Sequence, residues 1–276
     1  MSSALDNFSL DGKVFVVTGG GGLLGQKHAE AIAEAKGIPV LWDIDLEAAA
    51  AVADDISGRT GAETMAERVD ITDLASVKAG FDSVLRRFGR AAGLINNAAN
   101  NPTVDTGSDP SWSRFENFSL DAWNADVDVG LTGAFLCSQV VGRWMADNNG
   151  GVVVNIASDL SLISPDQRLY RLPGLADDRQ PVKPVTYSVV KHGLIGLTRY
   201  LATYWATKNV RVNAISPGGI YTGQPDEFVA RLTDLIPMRR MAGKDEYKSA
   251  IVFLCSDASA YMTGQNLIMD GGRTVL

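Results

Sequence analysis

Val14-Phe15-Val16-Val17 runs without a polar break into Thr18-Gly19-Gly20-Gly21-Gly22-Leu23-Leu24-Gly25, and a helical pattern follows at once. Few folds can use that junction. Four consecutive apolar residues suit a strand covered on both faces, as in a parallel sheet. Glycines where a strand hands over to a helix let backbone N–H groups approach a pyrophosphate with no Cβ in the way, at a helix end that favours negative charge. Gly19, Gly22 and Gly25 meet that need. A flexible turn is the plainer alternative, but the position between a strong strand and a helix, early in the chain, favours dinucleotide binding.

The rhythm set there continues almost to the end. Strand patterns fall near residues 14–18, 39–43, 63–69, 93–97, 152–157, 210–215 and 266–269. Helical patterns fall near 23–36, 46–57, 74–88, 120–147, 185–207, 226–235 and 244–256. Such alternation implies an α/β protein with a doubly wound, parallel, seven-stranded sheet, right-handed crossovers and helices on both faces. No solenoid repeat or Gly/Ser linker divides the chain, so residues 1–276 read as one dinucleotide-binding domain. Two stretches break the rhythm: the polar, turn-rich 100–117, and 159–184, a loop insertion with three prolines and mixed charge. Loops that long inside a compact domain usually carry function.

Bulk properties narrow the partners. The formal charge of −7 argues against nucleic acid, which needs a basic face. No apolar run reaches bilayer length and residues 1–10 lack a signal-peptide pattern, so no membrane partner is expected. Two cysteines, Cys137 and Cys255, without metal-type spacing point to a reducing, cytoplasmic setting and no metal site. His28 and His192 have no metal-like partner and read as structural.

Asp43 ends the second strand, 18 residues after Gly25. A carboxylate there can accept from both ribose hydroxyls of NAD and would repel the 2′-phosphate of NADP. No Arg or Lys lies in the glycine loop or directly after Asp43 to favour that phosphate. The expected cofactor is therefore NAD. Capping of the helix near Leu46 is the alternative role for Asp43, and Asp45 is better placed for it.

Further along, an ordered series of motifs appears: Asp70 after strand three, Asn96-Asn97-Ala98-Ala99 after strand four, and Asn155-Ile156-Ala157-Ser158 after strand five. Then come Tyr187-Ser188-Val189-Val190-Lys191, Asn213-Ala214-Ile215-Ser216-Pro217-Gly218-Gly219, and Thr263-Gly264-Gln265-Asn266 running to Asp270-Gly271-Gly272. With the Thr18–Gly25 loop, this series resembles the short-chain dehydrogenase/reductase family, in its compact branch with a Rossmann fold, over nearly the whole chain. The chemistry agrees. Tyr187 and Lys191, four apart, share one face of a helix. An ammonium nearby favours phenolate and lowers the tyrosine pKa from about 10, so the phenol can exchange a proton with an alcohol as hydride moves. Ser158, at a strand's C-terminal end, would orient the substrate oxygen. Singly, each has a plainer role: a packed phenol, a solvated amine, a cap hydroxyl.

The resemblance implies further contacts. Lys191 and Tyr187 would also hold the nicotinamide ribose, and Asp70 the adenine. Leu24, Ile71, Asn97, Ala98 and Ala99 would line the adenosine side. Pro217, Gly218, Ile220 and Thr222 would form the nicotinamide-side loop, with the Ile220 backbone and the Thr222 hydroxyl holding the carboxamide, and a mobile substrate lid would lie near 221–243. A homo-oligomer, dimer or tetramer, built on the helices near 120–147 and 185–207 is expected. So is a small-molecule substrate: a secondary alcohol or ketone, on a sugar or sugar derivative, as in members from bacterial surface-sugar and flagellin-modification pathways.

Three features depart from the family pattern. Leu23 stands where compact members have glycine. Gly130, in Val127-Asp128-Val129-Gly130-Leu131-Thr132-Gly133, stands where an Asn would hold a proton-relay water. Another water, Asp128 or a freed backbone carbonyl could serve instead, or the relay is weaker. Third, Ser158 and Tyr187 are 29 residues apart, with Arg168, Arg171, Arg179, Asp166, Asp177, Asp178 and Tyr170 between them; arginine forks suit phosphate or carboxylate, against a solvated or subunit-contact role. The rival functions are a sugar-nucleotide epimerase or dehydratase with retained NAD, favoured by the glycine spacing, and a non-catalytic NAD-binding protein, favoured by Gly130.

Overall fold

A computed structural model describes residues 3–100 and 109–276. Part of the polar 100–117 stretch therefore lies outside the described residues. Seven parallel strands form one sheet in the order β3-β2-β1-β4-β5-β6-β7. They are β1 Val14–Thr18, β2 Ile38–Asp43, β3 Met65–Arg68, β4 Gly93–Asn96, β5 Gly151–Ile156, β6 Val210–Pro217 and β7 Asn266–Met269. All five residues of β1 are buried, because helices cover both faces. Side chains alternate across the strand. Phe15 and Val17 face a core shared with helices α1 (Gly25–Glu34), α2 (Leu46–Thr60) and α9 (Lys248–Cys255). Val14 and Val16 face a second core with α3 (Leu74–Phe88), the helix over 120–147 and α7 (Val185–Tyr204).

Helix ends follow from local chemistry. The Asp45 carboxylate accepts from Ala48 N at 3.0 Å and so caps α2, leaving Asp43 for other work. Asp73 caps α3, which likewise frees Asp70. The expected helix over 120–147 is continuous but uneven. The α-helical pieces α4 (Leu120–Val127), α5 (Gly133–Cys137) and α6 (Arg143–Asp147) are joined by π turns at Asp128–Thr132 and Ser138–Gly142. Gly130 sits in the first π turn. A Cβ there would lie 2.5 Å from Val190 Cγ1 on α7, so glycine is what lets the two helices approach. A helix α8 (Asp226–Asp234) follows β6. Among the described residues no helix is long and apolar enough to cross a membrane.

β1 and β4 are neighbours, so the chain leaves the sheet toward opposite sides at their C-terminal ends. That reversal opens a crevice there, where open α/β sheets take ligands.

His28, on α1, is fully buried and neither ring nitrogen has a hydrogen-bond partner. Burial holds its pKa down, from 6.5 to about 3. The unfolded chain then binds a proton that the folded chain refuses, so stability falls as pH drops below about 6.5. Between about pH 7 and about pH 5 this group alone should cost about 2 kcal/mol. Urea unfolding at the two pH values checks it: the loss should be absent in His28→Phe, and an equal loss in the variant would remove His28 as the cause.

Candidate active site

The crevice is a cleft of about 670 Å³ running from the glycine loop to β5, β6 and α8. Its near end is built on the β1–α1 turn. Gly19 takes φ +63°, and a Cβ on Gly25 would lie 2.0 Å from the Gly19 carbonyl oxygen. Gly25 therefore does not line the cleft; it lets α1 start close behind the loop. Asn97 Nδ2 pins the loop from β4 by donating to the carbonyls of Thr18 at 2.9 Å and Gly19 at 3.2 Å. The Asp43 carboxylate accepts from Gly21 N at 2.9 Å and stands in the cleft wall. Gly19, Gly22, Leu24, Asp70, Ile71, Ala98 and Ala99 line the same end. A backbone cradle that a Cβ would fill, followed by a carboxylate, fits the pyrophosphate and adenosine ribose of a dinucleotide.

At the far end the cleft brings together Ser158, Tyr187 and Lys191, with Pro217, Gly218, Ile220 and Thr222 beside them. The buried Asn155, whose Nδ2 donates to Thr198 Oγ1 at 2.8 Å, ties the end of β5 to α7 and so fixes Ser158 relative to Tyr187. Lys191 is 5% exposed, and its Nζ donates to the Ile156 carbonyl at 2.7 Å. Burial and the charge of Lys183 push its pKa down to about 8.

The expected depression of the Tyr187 pKa does not hold in this state. Burial raises it, Asp159 adds to the rise, and a hydrogen bond with Ser158 opposes both. Lys191 is turned to the Ile156 carbonyl with its Nζ 5.8 Å from the Tyr187 ring centroid, and its charge is not among the influences that offset the burial of the phenol. A positively charged ligand at this end would work in the opposite sense, favouring phenolate.

Three further side chains that line this end were not singled out by the sequence. Asp159, 3% exposed, accepts from Ser158 Oγ at 2.8 Å and from Leu160 N at 2.8 Å. The Ser158 proton thus has two claimants, Asp159 and the Tyr187 oxygen. Arg273 Nη1 donates to Asp159 Oδ2 at 2.7 Å in a buried ion pair. Lys183 holds its Nζ 4.0 Å from the Tyr187 ring centroid, and burial lowers its pKa to about 8. Its place four residues before Tyr187, just ahead of α7, was the one available signal; Arg273 and Asp159 are joined only by folding.

The insertion contributes differently from its sequence. Arg168 forks Asp166, Arg171 pairs with Asp177, and Arg179 lies 3.7 Å from Asp109, so none of the three lines the cleft. Acidic partners took all three, for Arg168 and Arg171 within six residues in the chain. Leu169, Tyr170 and Lys183 line it instead, opposite Phe228, Leu232 and Met241 of the segment after β6. Arg231 of α8 donates to the carbonyls of Arg168 at 3.1 Å and Arg171 at 3.0 Å, docking α8 on the insertion. Among the described residues no cluster of three His, Cys, Asp or Glu side chains is arranged to hold a metal.

Residues 13–169 match the family model described as short chain dehydrogenase, and residues 176–274 match one described as enoyl-(acyl carrier protein) reductase. The chain belongs to the short-chain dehydrogenase/reductase family. It is 35% identical to the D-threitol dehydrogenase of Mycolicibacterium smegmatis over 98% of this chain and 95% of that one. It is 32% identical to the NAD-dependent glycerol dehydrogenase of Listeria innocua, over 98% and 96%. A solved gluconate 5-dehydrogenase from Burkholderia cenocepacia, in complex with NADP and tartrate, superposes with a TM-score of 0.84 at 29% identity, covering 99% and 100%. As a member of this family the protein is a nicotinamide-dependent alcohol dehydrogenase or ketoreductase.

Proposed function

We propose that the protein is an NAD-dependent dehydrogenase of polyols or sugar derivatives, in which Tyr187 exchanges the proton and Ser158 and Lys191 position the reactants. The observation that carries this reading is one continuous cleft with Asp43 at one end and Ser158, Tyr187 and Lys191 at the other. When bound, the nicotinamide accepts the hydride from a carbinol or returns it to a ketone. Tyr187 takes the hydroxyl proton as the carbonyl forms. Ser158 holds the substrate oxygen, its own hydroxyl oriented by Asp159. Lys191, fixed by Ile156, holds the ribose. The Asp128–Thr132 π turn favours a backbone carbonyl, rather than an Asn side chain, as the group that meets a relay water. Segment 221–243, docked on the insertion through the Tyr170–Phe228 pair (centroids 5.8 Å apart), covers the substrate end as a lid.

NAD is favoured because Asp43 is the charged side chain beside the ribose site. The names of relatives include both NAD and NADP, so the test is direct. NADH formation from threitol, glycerol, sorbitol and xylitol should exceed NADPH formation by about tenfold or more in kcat/KM, and Asp43→Ser should erase the difference. A preference for NADP in the unaltered protein would refute the assignment of Asp43. A homo-oligomer in the cytoplasm is part of the reading: Phe135 on α5 and the stacked Tyr200 and Tyr204 on α7 expose aromatic faces on the two helices expected to pair.

A further inference from the structure

Oxidation of a neutral alcohol does not require the positive charge present at the substrate end. Lys183, Lys191 and Arg273 line it, against one lining carboxylate, Asp159. Two other carboxylates stand behind this wall: Asp126, which accepts from the Thr186 hydroxyl, and Asp166, held by Arg168.

Arg273 is the informative member. The Asp270-Gly271-Gly272 turn delivers it, with Asp270 accepting from Gly272 N at 2.9 Å and Thr274 N at 2.7 Å. Its side chain is 7% exposed and Nη1 is bonded to Asp159 Oδ2. Among the described residues no other hydrogen bond leaves this side chain, none of its nitrogens is an enclosed orphan, and the residue lines the cleft, so N–H groups are left to meet a ligand there; Asp166 is near enough to feel its charge but is not bonded to it. Asp159 has its other oxygen occupied by Ser158 and Leu160 and cannot take the fork on both sides. As a stabilising device such a buried pair is poor, since apolar residues of similar volume often serve a fold as well. What it does provide is a guanidinium fixed in place with one edge unused, the geometry that best receives a planar carboxylate.

We propose that Arg273 is a specificity-determining residue that binds a carboxylate on the substrate, so that the preferred substrates are hydroxy acids of the aldonate kind rather than neutral polyols. The proposal rests on the dehydrogenase reading above and leaves its chemistry unchanged: the carbinol loses a hydride to the nicotinamide and a proton to Tyr187, and a keto acid results.

Calorimetric titration of the NADH-saturated protein with threonate and gluconate, against threitol and sorbitol, tests it without turnover. The acids should bind about tenfold or more tightly than the matched polyols. Arg273→Gln should remove that difference. Arg273→Lys, which still neutralises Asp159 and so guards against loss of folding, should reduce it. Equal affinity for acid and polyol in the unaltered protein, or a preference that survives in both variants, overturns the proposal. Turnover of polyols without any acid preference would sink this inference alone. Absence of NADH formation with every substrate would instead sink the dehydrogenase reading.

Discussion

Tyr187→Phe is expected to lower kcat for alcohol oxidation by about 10²- to 10⁴-fold, the usual worth of a positioned general base, with nicotinamide affinity changed only a few-fold. The ring stays where it is, since its packing under Lys183 does not involve the hydroxyl. What is lost is the one phenolic oxygen that shares Ser158 and faces the cleft. The pH profile offers a second check. Oxidation needs phenolate, and burial raises the Tyr187 pKa. In the unaltered enzyme kcat/KM for oxidation should therefore climb toward alkaline pH, and the residual activity of the variant should lack that climb. A variant with full activity, or one that keeps the same profile, would assign the proton to another group.

Gly25→Ala should have the largest effect on cofactor binding. The new methyl would stand 2.0 Å from the Gly19 carbonyl oxygen and 2.8 Å from its carbon, both backbone atoms of the phosphate loop. Overpacking of this kind costs about 1–3 kcal/mol, and taken from binding that is about a ten- to hundredfold rise in Kd. Gly58→Ala on α2 is the control, because nothing lies within 4 Å of its added methyl. Fluorescence titration with NADH separates the two. Unchanged affinity in Gly25→Ala would mean that the turn has room the geometry does not show.

Sequence patterning made the sheet legible because its central parallel strands, buried on both faces, have to be apolar runs, whereas the edge strand β3 is only partly buried and is shorter than its 63–69 pattern. Bounds shifted where helix-end punctuation is weak, by as much as four residues at α9, which starts at Lys248 instead of residue 244. The π turns were invisible because every residue between Asp128 and Gly142 suits an α-helix or is a glycine; the close approach of Gly130 to Val190 is a tertiary fact. At the site, the motif residues converge on one cleft, because the ends of parallel strands bring them there. The insertion misled for a physical reason. Arg168 and Arg171 find aspartates within six residues and Arg179 meets Asp109 across the fold, whereas Arg273, whose charge partner Asp159 lies 114 residues away, escapes any reading by proximity in the chain. The sign of the Tyr187 shift was missed because spacing reveals that a lysine is near, but not that its ammonium is turned to a backbone carbonyl or how deeply the phenol is buried.

The central claim, that this cleft moves a hydride between an alcohol carbon and a nicotinamide under the control of Tyr187, is tested most directly by isotope transfer. The purified protein would be given NAD and a polyol or aldonate carrying deuterium at the secondary carbinol carbons, and the reduced nicotinamide examined by mass spectrometry. The account predicts deuterium in the NADH, accumulating with the ketone product, and about 10²- to 10⁴-fold more slowly with Tyr187→Phe. Protein that binds NAD yet releases no labelled NADH from any substrate would contradict it, pointing instead to a cofactor that is retained and recycled or to binding without turnover.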